Sequence, residues 1–215
     1  MSAVLLFLGL AILILLAGYT FAARGRQSRS LREFAARNRL NFTSEDLIDL
    51  HGRYYRLECV RRGHNHYAWN LLYGSCEEGL VSLFCHRCDL GFGVNQVSDL
   101  SWIAVVETSA ERPGWSAERP RGGPAAPAQR GGVTGNFHEA RVGPFLVRAD
   151  APETLVRLQR AGLDSFFADH PAIDRAEVRR QLAAVAAPYD RDPHTPARLL
   201  DAVRSLVRLA DAPRT

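Results

Sequence analysis

A chain of 215 residues with 47% hydrophobic and 23% charged content is long enough for one domain with appendages and too apolar for wholesale disorder. All 27 basic residues are arginine, and six of them (Arg24, Arg26, Arg29, Arg32, Arg37 and Arg39) fall within residues 24–39 against the lone acid Glu33, a net of +5 that leaves −1 for the rest of a chain totalling +4. The basicity belongs to a short arm, so composition argues against nucleic acid as a partner of the folded part.

The first element is apolar. Residues 3–23 carry no charge and are rich in Leu, Ile and Val, and at about 1.5 Å per residue a helix of that length spans the hydrocarbon core of a bilayer. A cleaved signal peptide would need a basic residue before the run and small residues at a cut site; neither suits this stretch, which reads as a retained transmembrane anchor over residues 1–23. The arginines all follow the span, which predicts a single-pass protein of the bacterial inner membrane with its N-terminus outside and residues 24 onward in the cytoplasm. Arg24, Arg26, Arg29 and Arg32 would face anionic headgroups. Leu31, Phe34, Ala35 and Leu40 have helical spacing, so residues 24–42 are expected to form a basic juxtamembrane helix.

The period then changes. In Tyr54–Val60 and again in His66–Tyr73, apolar and polar residues alternate, which predicts two strands. Gly79–Arg87 and Ser101–Thr108 follow after short turns, and short connections between four strands predict an antiparallel meander. Residues 109–136 hold four prolines and six glycines with a near-repeat, Ser109-Ala110-Glu111-Arg112-Pro113 and Ser116-Ala117-Glu118-Arg119-Pro120, and are expected to be a disordered loop around Trp115. A fifth strand is expected over residues 137–149.

The C-terminal third predicts three helices. Asp150 with Glu153, and Asp174 with Glu177, match the capping-box spacing ahead of residues 154–162 and 175–187. Thr195-Pro196 opens a helix with Leu199, Leu200, Val203, Leu206 and Val207 on one stripe. The expected fold is α+β: after the transmembrane helix, residues 43–215 form a two-layer cytoplasmic domain in which C-terminal helices pack on an antiparallel sheet.

Cys85-His86-Arg87-Cys88 is the stretch that most resembles a chemical motif. Cys85, Cys88, His64 and His66 are the candidate ligands for a zinc ion, and a redox pair at Cys85 and Cys88 is the related alternative. On a continuous strand, however, side chains three apart point to opposite faces. No second Cys-x-x-Cys is present, nor a catalytic helix, nucleophile elbow or phosphate loop, so no enzyme class or cofactor is indicated. Tyr67, Trp69 and Tyr73 alternate with polar residues and are the candidate binding patch for a protein or lipid partner.

Gly63, His64, Ala68, Asn70, Leu72 and Gly74 form a Gly-His-x-x-x-Ala-x-Asn-x-Leu-x-Gly signature. On it the chain resembles a family of uncharacterised bacterial single-pass membrane proteins, which implies the architecture above and no activity. In those proteins the next strand carries an aromatic Asp-Tyr-x-Tyr run where this chain has Cys85-His86-Arg87-Cys88, which makes the cysteines look like local substitutions in a sheet.

Overall fold

The computed structural model describes residues 2–120 and 138–211, with only the backbone over much of the first two dozen. Helix α1 (Ser2–Arg37) is one continuous element of 36 residues. Among the described residues no helix is long and apolar enough to cross a membrane, but most side chains of residues 3–23 lie outside those described. The far end of α1 is not a free arm. Leu31, Phe34 and Ala35 are buried in the domain core, and the helix stops at Arg37, ahead of strand β1 (Asn41–Glu45).

The sheet is antiparallel and seven-stranded. Strands β2 (His64–Cys76) and β3 (Gly79–Leu90) form a hairpin, with β1 on its outer edge. Strand β4 (Val97–Glu118) is 22 residues long. Its first half pairs with β3, its end with β6 (Phe145–Ala149), and its opposite edge with β7 (Arg175–Pro188) along most of its length. Strand β5 (His138–Val142) closes a second hairpin with β6. The positive φ of Gly143, 54°, lets that hairpin turn without strain.

Alternation along β4 and β7 divides the core in two. Trp102, Ala104, Val106, Ala183, Val185 and Ala187 face one side. There they meet α1, α6 (Thr195–Ala210) and the shorter α4 (Pro152–Arg160) and α5 (Leu163–Asp169). Ile103, Val105, Ala184 and Ala186 face the other side, under Leu50 of α2 (Leu50–Arg53), Val60 of α3 (Glu58–Arg61), and Tyr54 and Leu57 of the turn between them. C-terminal helices therefore cover one face, as expected, and a thin cover that the sequence pattern did not suggest lies on the other.

Several expectations change. Residues 54–60 are a turn and a short helix rather than a strand: Tyr54, Leu57 and Val60 recur at helical spacing and are all fully buried. Residues 109–118 are not loop, because β4 continues through the first copy of the near-repeat and into the second, and Trp115 is fully buried; residues 121–136 lie outside the described residues. The strand expected over residues 137–149 is two strands, His138–Val142 and Phe145–Ala149; residue 137 lies outside the described residues. Residues 175–187 are strand β7 and not a helix. Its alanines are good helix formers, but their burial against both faces of the sheet outweighs a propensity of a few tenths of a kcal/mol per residue, roughly.

The two capping acids serve elsewhere. Asp150 accepts from Arg179 Nη1 at 3.1 Å while Ala151 occupies the N-cap of α4. Glu177 Oε2 accepts from the backbone N–H of Glu58 at 2.7 Å, capping α3 from the neighbouring sheet. Arg175 is buried with Asp99 at 2.7 Å.

Two outcomes test this arrangement. Trp115→Ala is expected to cost about 3–5 kcal/mol in denaturant unfolding; a residue of a loose loop would leave stability unchanged. Burial pushes the Glu177 carboxyl up to about 7 from 4.5, with Arg179 opposing. The native state then holds a proton that the unfolded chain has released, so Glu177 makes stability fall as pH rises across that interval. Glu177→Gln should gain stability relative to the parent between about pH 5 and about pH 8, measured by denaturation at both; equal changes in parent and variant would contradict the assignment.

Candidate functional site

Strand β2 is irregular in two places, and the site follows from them. Asn65 and Asn70 have positive φ, 52° and 53°, a conformation that asparagine tolerates better than most residues. At each the register slips: His64 pairs with Asp89 but Tyr67 with Arg87, and Trp69 pairs with Cys85 but Leu72 with Leu83. Each bulge inserts one residue and exchanges the faces beyond it.

The first bulge separates the histidines. His64 shares the face of Asp89 and stacks on Phe92 at 4.7 Å, whereas His66 turns to the opposite face together with Ala68. His86, on β3, pairs with Ala68 and so shares that face. His66 Nδ1 lies 3.3 Å from His86 Nε2. From above, the first turn of α2 brings His51, whose ring stacks on His66 at 3.9 Å between centroids and 18° between planes. One ring nitrogen from each of the three lies within 4.8 Å of the others.

The turn that delivers His51 is fixed by its own carboxylates. Asp46 Oδ2 accepts from the N–H of Leu50 at 2.9 Å. Asp49, in the left-handed region at φ 50°, caps α2 by accepting from Gly52 N–H at 3.1 Å. Leu50 and Tyr54 anchor the helix in the second core, and the Tyr54 hydroxyl donates to Glu107 Oε1 at 2.8 Å. The result is a cleft of about 430 Å3 with His51, His66 and His86 on its floor and Glu45, Asp46 and Asp49 around it.

Burial disfavours the charged form of His66 and His86. His86 is 1% exposed, and burial first, then the neighbouring His66 and His51, push it down to about 4. His66 is lowered by burial and by His51. Neutral imidazoles are hydrogen-bonding groups and metal ligands at neutral pH.

Of the four ligands expected from sequence, only His66 belongs to this group. Cys85 lies in the first core, where Asn70 Nδ2 donates to its Sγ at 3.8 Å; Cys88, three residues on, faces the other way, opposite Asp99. The sequence pattern marks neither His51 nor His86 as a ligand; His86 lies between the two cysteines, and its pairing with Ala68 is what brings it to His66. The second bulge likewise splits the aromatic patch. Tyr67 and Trp69 stack on the first face at 5.7 Å, and Trp69 continues to Tyr189 at 5.8 Å, while Tyr73 pairs with Ser82 on the second face. Tyr67 is 59% exposed and Trp69 half-buried. Of the arginine arm, Arg26, Arg29 and Arg32 are exposed, Arg32 lying over the Phe42 ring at 5.7 Å; the side chain of Arg24 lies outside the described residues.

The six signature residues have structural places here. Gly63, at φ 85°, lies so close to Asp89 that a Cβ would stand 2.5 Å from its carbonyl oxygen. Asn70 makes the second bulge, Ala68 and Leu72 fill the two cores, and a Cβ on Gly74 would meet Leu40.

Comparison with family models and with curated proteins finds no match. Among solved structures, the chain is similar to the mycobacterial trehalose monomycolate transport factor A, TtfA, with a TM-score of 0.62 and 16% identity, over 86% of this chain and 94% of that one. At that identity the likeness is one of fold.

Thiol chemistry separates strand cysteines from a reactive pair. Burial raises Cys85 and Cys59, and raises Cys88 to about 11; Cys76 alone is half-buried. An aromatic disulfide reagent should modify Cys76 in the native protein and all four thiols only after unfolding. Rapid native modification of Cys85 or Cys88 would reinstate the redox reading.

Proposed function

We propose that this chain is a membrane-anchored accessory factor: residues 3–23 hold it as a single span in the bacterial inner membrane, and its α+β domain binds a protein partner on the cytoplasmic side. The observation that carries the reading is the continuity of α1. The same helix that begins in the apolar segment ends with Leu31, Phe34 and Ala35 inside the domain core, so an anchor at one end fixes the position of the sheet at the other.

Other features support it. Gln27 Nε2 donates to the Tyr189 hydroxyl at 3.3 Å, tying α1 to the domain one turn before the core residues. The aromatic run Tyr67, Trp69 and Tyr189 ends at that contact, so its exposed member, Tyr67, would be offered near the membrane surface. Exposed Arg26, Arg29 and Arg32 on the same stretch suit anionic headgroups and the inside orientation. The fold likeness to a protein described as a transport factor fits an accessory role.

Protease treatment and crosslinking test the two halves of the proposal. The protein should stay with membranes through alkaline extraction, and its domain should be cut in inside-out vesicles but not in intact spheroplasts; the opposite protection would reverse the topology. A photo-crosslinking residue at Tyr67 should give one discrete protein adduct in membranes, while the same residue at Glu153 on α4 should give none. Equal, diffuse labelling at both positions would remove the partner surface.

A further inference from the structure

We propose that His51, His66 and His86 bind a divalent transition-metal ion, Zn2+ in the first place, with a cleft carboxylate or water as the fourth ligand. The three imidazoles come from three separate elements, α2, β2 and β3, and meet only because the bulge at Asn65 turns His66 toward His86 while α2 lays His51 across both. Convergence of three ligating side chains from distant sequence is what a metal site requires and what simple strand alternation does not produce.

The distances suit zinc. With Zn–N bonds of about 2.0–2.1 Å, neighbouring ligands on a tetrahedron stand about 3.3–3.4 Å apart. His66 Nδ1 and His86 Nε2 are already 3.3 Å apart. His51 is the ligand that must turn, since its ring lies parallel to His66 rather than radiating from a shared point. Its Nδ1 is buried without a hydrogen-bond partner, an unmet valence that coordination would satisfy. The ring belongs to a half-exposed residue on a short helix, so rotation toward the cleft disturbs no core packing.

Charge favours a cation. Glu45, Asp46 and Asp49 line the cleft, and Asp49 uses Oδ1 for the cap of α2. Three imidazoles with at most one carboxylate suit zinc and its neighbours in the transition series better than magnesium or calcium, which prefer oxygen. The site is independent of the membrane-anchored reading and would stand or fall without it.

Cobalt(II) is the probe, because its visible bands report tetrahedral coordination and a thiolate ligand adds a near-ultraviolet charge-transfer band. Titrated into the detergent-solubilised full chain, Co2+ should bind about one ion per chain with tetrahedral bands and no thiolate band, and Zn2+ should displace it. His51→Ala and His66→Gln are each expected to weaken binding by more than the roughly 10–100-fold cost of losing an outer-shell partner. Both should keep the parent's metal-free melting temperature and lose the rise that Zn2+ gives the parent. Cys85→Ser, Cys88→Ser and His64→Gln should bind as the parent does. Absence of binding at micromolar Co2+, a thiolate band, or unchanged affinity in both histidine variants would overturn the proposal.

Discussion

The structure depends on one long strand. β4 is hydrogen-bonded to β3 and β6 along one edge and to β7 along the other, so every other part of the sheet is placed by reference to it. Its side chains are apolar on both faces: Trp102, Ala104 and Val106 on one, Ile103 and Val105 on the other. A strand of that kind is stable only when both faces are removed from water, at roughly 25 cal/mol for each Å2 of apolar surface. α6 and the end of α1 serve one face. The other has no long helix available, and the chain covers it with residues 46–61, whose two short helices could not stand alone.

That second cover is where packing becomes chemistry. Short helices need outside support at their ends, and here it is supplied by Asp46 and Asp49 for α2 and by Glu177 from β7 for α3. The same carboxylates that hold the cover in place leave an acidic cleft beside it, and the first turn of α2 lowers His51 onto β2. The three-histidine group is thus a consequence of how the second face is closed. It would not exist on a sheet covered on one side only.

Much of this was legible in the sequence, and each failure has a physical cause. The hairpin of β2 and β3, the first half of β4 and the stripe on α6 follow from periodicity, whereas the helix expected over residues 24–42 ends at Arg37 and Asn41 already opens β1. The opposite orientations of Cys85 and Cys88 follow from periodicity too. What periodicity misses is an extra residue. A single bulge at Asn65 or Asn70 exchanges the faces of all that follows, which separates His64 from His66 and Tyr67 from Tyr73. The reading of residues 175–187 as helix failed differently: alanine is compatible with either state, and the acid at the expected cap, Glu177, caps a helix distant in sequence. Tyr54–Val60 fits both a period of two and a helical spacing, and only the tertiary contacts of Tyr54, Leu57 and Val60 decide between them.

The membrane-anchored reading rests on α1, which joins the apolar segment to the core without a break. The metal site proposed above is the chemical consequence of closing the second face of the sheet. Zinc K-edge X-ray absorption of the zinc-loaded full chain tests it most directly. Coordination by the three histidines requires a first shell of nitrogen and oxygen at about 2.0–2.1 Å with the outer-shell scattering of several imidazoles. Sulfur at about 2.3 Å would move the metal to the cysteines, and a shell of water oxygens alone would leave the three histidines as a hydrogen-bonded stack.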